Sequence, residues 1–381
     1  MLRTSQTAIP CTLMRGGTSK GPFFLASDLP SDVQTRDRVL LAAMGSPDAR
    51  QIDGVGGADP LTSKVAIVSR SSRDGIDVDY VFAQVSVDRP IVDVTPTCGN
   101  MLAGVGPFAI ERGLVAPHDP MTAVSIYMVN TETVAVAHVP TPGGELTYAG
   151  ETSIAGVPGT SAPIRIDFRD TAGSVCGALL PTGNTLDQLD GIEATLIDNG
   201  MPMVVLRASD FAKSGDEAPA ELNSDQKLKA RLEQIRILAG EHMGLGDVRS
   251  KVVPKITLIA PPQAGGHVMT RTFIPHKCHS AIGVLMAVTV GTACILPGSV
   301  AQGIVHPQDG PVQFISIEHP SGEFSVEFEL EQGGSRLKVV RSSLIRTARA
   351  LFRGEVLVPA SVWLGKGALA SADVSRTGQH A

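Results

Sequence analysis

Two stretches of this chain are apolar over nearly a helix's length, and they constrain everything built around them. Residues 281–296 (AIGVLMAVTVGTACIL) lie between Ser280 and Pro297 and contain no charge. Residues 101–110 (MLAGVGPFAI) follow Cys98-Gly99-Asn100. A helix that is apolar on every side must be surrounded by other elements, and small residues let β-strands come close to it. The longer run falls short of the roughly 18–20 residues that span a bilayer, so it reads as a buried core helix. Each run has a cysteine at its entrance, Cys98 and Cys278, separated by about half of the 381 residues. The pattern predicts two similar domains, each a sheet wrapped around one helix, with both helix N-termini at a shared cleft. Two unrelated core helices in one α+β chain are the alternative.

The length suits two domains. Hydrophobic residues at 43% and charged residues at 18% mark a globular chain. Aromatics are only 4%, against 40 Gly and 26 Pro, which favours β-structure with many tight turns. The net charge is -6 with no basic stripe, which argues against nucleic-acid binding. Residues 1–10 have no apolar core of a signal peptide. Five cysteines without CxxC spacing make no disulfide framework, and with no HExxH no zinc site is expected. Reduced thiols and a cytoplasmic location are the expectation.

Along the chain, 9–25 reads as strand, turn, strand about the loop 15–21. Helices are expected at 35–44, 98–112, 224–243, 279–296 and 347–352, with Pro107 kinking or shortening the second. The helix at 224–243 is capped by Ser224 and Asp225, buries Leu228, Leu232, Ile235, Leu238 and Ala239, and ends at Gly244. Strands are expected at 65–68, 78–87 and 255–260, and hairpins at 124–139, 194–206 and 314–330. Asn199-Gly200 is a strong turn signal for the second hairpin. Residues 367–381 read as a frayed tail.

Several side chains could carry chemistry. A thiol at a helix N-terminus, as at Cys98, meets unpaired N–H groups and the positive end of the dipole, which favour an anion. The competing reading is a buried, inert cysteine. Lys64 stands between Ser63 and the apolar run 65–68; a lysine kept from water can give up its proton and act as a base, whereas a lysine at a strand start can also simply be solvated. In the loop 15–21, consecutive N–H groups around glycines can form an anion nest. Thr18 and Ser19 add hydroxyls there, and Arg15 a guanidinium that could grip a carboxylate; a purely structural turn fits equally. Arg271, His276, Lys277, His279 and Ser280 are polar groups at the second entrance. Cys11, Cys176 and Cys294 lie in apolar or strand-like settings and read as structural.

Together, Met14-Arg15-Gly16-Gly17-Thr18-Ser19-Lys20-Gly21, Ser63-Lys64, Cys98-Gly99-Asn100 and Arg346-Thr347-Ala348-Arg349 resemble the PrpF family over about residues 10–359. That family includes 2-methylaconitate cis-trans isomerase and 4-oxalomesaconate tautomerase. The segments 44–48, 51–54 and 104–109 look closer to the oxalomesaconate branch, which serves breakdown of gallate, protocatechuate and lignin-derived aromatics. The resemblance implies the α+β, diaminopimelate epimerase-like fold, two pseudo-repeated barrel-like β domains each around a central helix. On this chain they would occupy 1–185 and 186–350, with 351–381 returning toward the first domain. It implies a cofactor-independent isomerase in which Lys64 and Cys98 are the acid/base pair. A small tricarboxylate would be bound by Arg15, Ser19, Thr62, Ser63, Gly99, Asn100, Arg271, Cys278, His279 and Ser280. Cys278 stands in Cys-His-Ser where the epimerases have Cys-Gly-Thr/Ser, so no catalytic role is carried to it. No nucleic-acid or membrane partner is implied, and a homodimer stays open. The expected reaction is a double-bond shift in 4-oxalomesaconate. Methylaconitate isomerisation, a two-cysteine racemase or epimerase, and a non-catalytic polycarboxylate binder are the alternatives.

Overall fold

The computed structural model describes residues 5–94, 98–168, 171–331 and 338–365; the expected tail at 367–381 lies outside them. The chain divides into two compact units, Met1–Ile166 with Arg346–Ala381, and Asp167–Ile345.

The first unit opens with β1 (Gln6–Gly16) and β2 (Ser19–Leu25), joined by a two-residue turn in which Gly17 takes φ +52°, a left-handed conformation that glycine adopts freely. Helix α1 (Val33–Met44) begins where the Asp32 carboxylate accepts the N–H groups of Gln34 and Thr35, satisfying two donors that a helix start leaves unpaired. Then come β3 (Lys64–Arg70), β4 (Val78–Val85), the short β5 (Val92–Asp93), α2 (Gly99–Glu111), β6 (Met121–Met128), β7 (Thr133–Pro140) and β8 (Pro163–Phe168).

The second unit contains β9 (Asp187–Leu189), β10 (Ile192–Asp198), β11 (Pro202–Arg207), α3 (Pro219–Ser224), α4 (Gln226–His242), β12 (Lys255–Ala260), β13 (Val268–Phe273), α5 (Val284–Ile295), β14 (Val312–His319) and β15 (Gly322–Leu330). The long β16 (Val339–Pro359) starts in this unit and finishes in the first.

In the first unit the strands hydrogen-bond in the order β1-β2-β3-β4-β6-β7-β8-β16, and β16 pairs back onto β1, from Gly16 with Ala348 to Gln6 with Pro359. The ring of these eight strands is therefore closed on itself. Helix α2 packs against β1, β2, β3, β4, β6 and β7, with every residue from Met101 to Ala109 buried. In the second unit the order is β9-β10-β11-β12-β13-β14-β15, followed by the first residues of β16. Helix α5 packs on β10, β11, β14 and β15 with all of its residues buried. The two all-apolar segments are thus both enclosed by strands. Asn199, read from sequence only as a turn residue, also anchors α5: its Nδ2 donates to Thr292 Oγ1 (2.8 Å), and Thr289 Oγ1 donates to its carbonyl (3.0 Å). Among the described residues, no helix is long and apolar enough to cross a membrane.

Four expectations change in detail. Residues 347–352 are not a helix but part of β16, because β1 supplies backbone partners along this stretch. Helix α5 starts at Val284, not at 279: His279 N–H donates to the Thr272 carbonyl (2.8 Å) and Cys278 bridges to Phe273, so these residues extend a turn from β13. Pro107 sits within α2 without ending it. The helix expected at 224–243 is α4, capped as expected by the Asp225 carboxylate at Leu228 N–H (2.9 Å), but Ser224 ends α3 instead of capping it.

Helix α4 also buries a charged residue. Arg236 is fully buried, donating to both Glu233 carboxylate oxygens (2.7 and 2.8 Å) and to the carbonyls of Val248, Lys251 and Val253. Burial, and secondarily the Arg236 charge, push the ammonium of Lys255 down from 10.5 to about 8. The folded chain then releases this proton near pH 8 and the unfolded chain near 10.5, so between those values the unfolded state binds more protons and stability rises with pH. The contribution is complete above about pH 10.5 and lost as pH falls through about 8. Lys255→Met should abolish that rise. Urea midpoints of both proteins at pH 7 and pH 10 check it, since other titrating groups, Cys278 included, cancel in the comparison; parallel pH dependence in the two proteins would refute the assignment.

Candidate active site

Lys64 opens β3, and Cys98 precedes α2 in an extended conformation, φ −137°. Packing of β3 on α2 brings them together: Lys64 Nζ donates to Cys98 Sγ at 3.7 Å. Each residue is only 9% exposed, so the pair is shielded from bulk water. Phe82 of β4 lies diagonally across the ladder from Lys64, which pairs with Gln84. Its ring centroid is 5.2 Å from Nζ, a contact that fixes where the amino group sits. Tyr80, two residues earlier on β4, directs its hydroxyl at the Cys98 carbonyl (3.5 Å). Burial, and then the neighbouring Cys98, raise the Tyr80 phenol well above its usual range, so it serves as a neutral donor.

Cys98 leads directly into the first turn of α2. The N–H groups of Gly99 and Asn100 lie in the turn where a helix has no carbonyl four residues back to bond. The Asn100 side chain donates to Thr18 Oγ1 (2.9 Å), which ties the β1–β2 turn to the helix start. Gly17 is required at this contact as well as by its φ, because a β-carbon there would come within 2.8 Å of Asn100 Cγ. Ser19, opposite Gly16 on β2, is 1% exposed, and among the described residues its hydroxyl has no hydrogen-bond partner. A spare buried hydroxyl is costly unless something pairs with it, which makes Ser19 a candidate contact for a bound molecule.

Other expected contacts are already committed. Arg15 Nη1 donates to the carbonyls of Gly17 (2.9 Å) and Thr347 (3.1 Å) and to Thr347 Oγ1 (2.9 Å), and Nη2 to Ser161 Oγ (3.3 Å). It therefore braces the β1–β2 turn against β16. Burial, and then Arg349 across the strand pair, make its charge less favourable than usual. Ser63 donates to the Val85 carbonyl (2.8 Å) and accepts from Gln51 Nε2 (2.7 Å). Half-buried Thr62 donates to the Asp59 carbonyl (3.2 Å).

Four expected residues belong to the second unit. Arg271 is buried and donates to the carbonyls of Glu217 (2.7 Å) and Thr270 (2.9 Å). Cys278 is held by Asn223, whose Oδ1 accepts its N–H (2.8 Å); burial pushes its thiol up to about 11. His279 and Ser280 are exposed, with His279 Nδ1 2.9 Å from the Ala281 carbonyl and the Ser280 carbonyl accepting from Ser321 (2.6 Å). Among the described residues no group of three or more His, Cys, Asp and Glu side chains is placed to hold a metal ion.

The family model described as "PrpF protein" matches residues 6–359. The chain belongs to the PrpF family. It is 58% identical over 349 residues to the (4E)-oxalomesaconate Delta-isomerase of Novosphingobium sp. (strain KA1), covering 92% of this chain and 97% of that one. It is 56% identical over 361 residues to the 4-oxalomesaconate tautomerase of Pseudomonas putida, covering 94% and 99%. The crystal structure of a methylitaconate-delta-isomerase, 36% identical, superposes over 94% of this chain and 97% of that chain with a TM-score of 0.78. The epimerase-like fold implied by the resemblance is the fold of this PrpF chain.

Within that PrpF framework, sequence reasoning missed Gln51, Tyr80, Phe82 and Asn130. Asn130, in the β6–β7 turn, accepts the Phe82 N–H (2.8 Å) and donates to the carbonyls of Phe82 (2.8 Å) and Val94 (2.6 Å). It thereby fixes the backbone of Phe82 and of Val94. The available signal was its place at a hairpin turn, which says nothing about the strand it reaches.

Proposed function

We propose that this chain is a cofactor-independent isomerase that shifts a double bond in 4-oxalomesaconate by proton transfer between Lys64 and Cys98. The observation that carries it is the 3.7 Å approach of Lys64 Nζ to Cys98 Sγ at the start of α2, in a chain more than half identical to enzymes of that substrate. Neutral Lys64 takes a proton from the carbon allylic to the C=C bond, and the electron pair left behind delocalises into a dienolate. The N–H groups of Gly99 and Asn100 and the Ser19 hydroxyl stabilise the developing negative charge. Cys98 returns a proton at the far end of the system or at oxygen, so no atom is gained or lost overall. Proton exchange through the Lys64–Cys98 contact resets the pair, and the reverse assignment of base and acid balances equally well. The chain would act in breakdown of aromatic compounds, and its five free thiols suit the reducing cytoplasm.

A two-thiol racemase would have Cys278 alternate between thiol and thiolate, and burial, which pushes its thiol up to about 11, opposes the thiolate. Proton NMR in D2O, with 4-oxalomesaconate and 2-methylaconitate in separate tubes, tests the assignment. A shifted double bond with deuterium gained in oxalomesaconate alone is the expected result. Turnover of methylaconitate alone would keep the proton transfer and replace the substrate, and no change in either tube would overturn both.

A further inference from the structure

The segment between α1 and β3 delivers Lys64, and a single side chain organises it. Gln51 lies in this segment yet is 1% exposed, and its backbone is left-handed at φ +47°, a conformation unfavourable for a residue with a β-carbon. Its amide is fully used. Nε2 donates to Ser46 Oγ (3.0 Å) and Ser63 Oγ (2.7 Å), and Oε1 accepts the Ala58 N–H (2.9 Å). Ser63 passes the constraint on by donating to the Val85 carbonyl (2.8 Å). Its own carbonyl accepts from Gln84 Nε2 (2.9 Å), the residue paired with Lys64. The side chain and backbone of the residue before Lys64 are therefore both fixed, and backbone strain at Gln51 is retained where these bonds over-determine it.

We propose that Gln51 is a positioning residue for Lys64: through Ser63 it sets the start of β3 so that Nζ meets Cys98. This rests on Lys64 and Cys98 being the proton-transfer pair. An apolar side chain could fill the same volume, but only a group with two donors and an acceptor fixes the orientation of Ser63 while holding Ala58. Misplacement of a reacting group by about 1 Å can cost on the order of a hundredfold in rate.

The test compares Gln51→Leu, Gln51→Glu and Lys64→Met with the unsubstituted protein. Two readouts are taken across pH: kcat and KM with 4-oxalomesaconate, and the rate at which iodoacetamide alkylates Cys98, followed by peptide mass. Gln51→Leu should lower kcat by about 10–100-fold with KM within about threefold, and should shift the pH profile of alkylation toward that of Lys64→Met. Gln51→Glu should show the same loss near neutral pH and recover, as a ratio to the unsubstituted protein, as pH falls and the carboxylic acid regains a donor for Ser63. If Gln51→Leu does not fold, Gln51→Glu decides alone. Unchanged kcat and alkylation profiles in the folded variants, or a loss of activity that merely tracks melting temperature with no pH signature, would overturn the positioning role. Failure of the functional assignment would look different: the unsubstituted protein would leave 4-oxalomesaconate unchanged, or Lys64→Met would retain turnover. The alkylation comparison would even then report whether Gln51 sets the Lys64–Cys98 contact.

Discussion

Lys64→Met is expected to lose turnover of 4-oxalomesaconate by about a hundred- to ten-thousandfold, the range supplied by a positioned general acid or base, while the protein melts within a few degrees of the original. Both halves follow from the surroundings of the side chain. Methionine keeps the length of the lysine stem and can set a polarizable sulfur against the Phe82 ring in place of the amino group. The residue is 9% exposed, so the exchange also removes a polar group from a mostly dry position. What it cannot supply is a proton acceptor 3.7 Å from Cys98 Sγ. Cys98→Ala should also lower kcat, and the double variant should fall no further than the worse single one if the two groups serve one proton path. Circular dichroism melts and single-turnover kinetics on all three variants separate these effects. Near-normal turnover in folded Lys64→Met would remove Lys64 from the mechanism.

The parts of the molecule that were legible in the sequence are those whose signal is local and whose partners need not be known. Residues 101–110 and 281–296 are apolar on every side, so their enclosure follows whichever strands surround them. The turns near Gly17, Asn130, Asn199 and Ser321 mark hairpins by their own chemistry. Legibility failed where a distant segment decides. Thr347-Ala348-Arg349-Ala350-Leu351-Phe352 contains good helix formers, but β1, more than 300 positions away, supplies a backbone ladder that outweighs propensity. Arg236 sits on an amphipathic helix where a charge normally faces water; its burial depends on Glu233 and on three carbonyls of residues 248–253. In the candidate site, Lys64 and Cys98 could be nominated because their residue types carry a reaction. Gln51 could not, because its importance lies in three hydrogen bonds to residues 5–12 positions away, a relation with no periodicity and no composition.

The second large effect is expected at Gly21, on the strand beside the candidate site, and it separates contact from conformation. Gly21 pairs with Met14 in the β1–β2 ladder and is not among the glycines with positive φ, so alanine there meets no backbone penalty of its own. A β-carbon would nevertheless overlap the carbonyl oxygen of Lys64 and come within 2.7 Å of its carbonyl carbon and 3.3 Å of Met101 Cε. The methionine tip can move; the β3 backbone is held in the ladder with β4. Glycine in a strand interior commonly marks such a close backbone approach. Gly21→Ala should therefore cost about 1–3 kcal/mol by overpacking, occasionally more. Because the displaced backbone is that of Lys64 itself, it should also lower kcat by far more than the stability loss alone accounts for. Gly75→Ala is the informative companion, since Gly75 has φ +71° and nothing within 4 Å of the added carbon. It should cost only the conformational term, about 1 kcal/mol, and leave kcat unchanged. Urea midpoints and kcat for the two variants give the comparison. Equal stability losses with turnover intact in both would mean that β3 yields to the added methyl without moving Lys64.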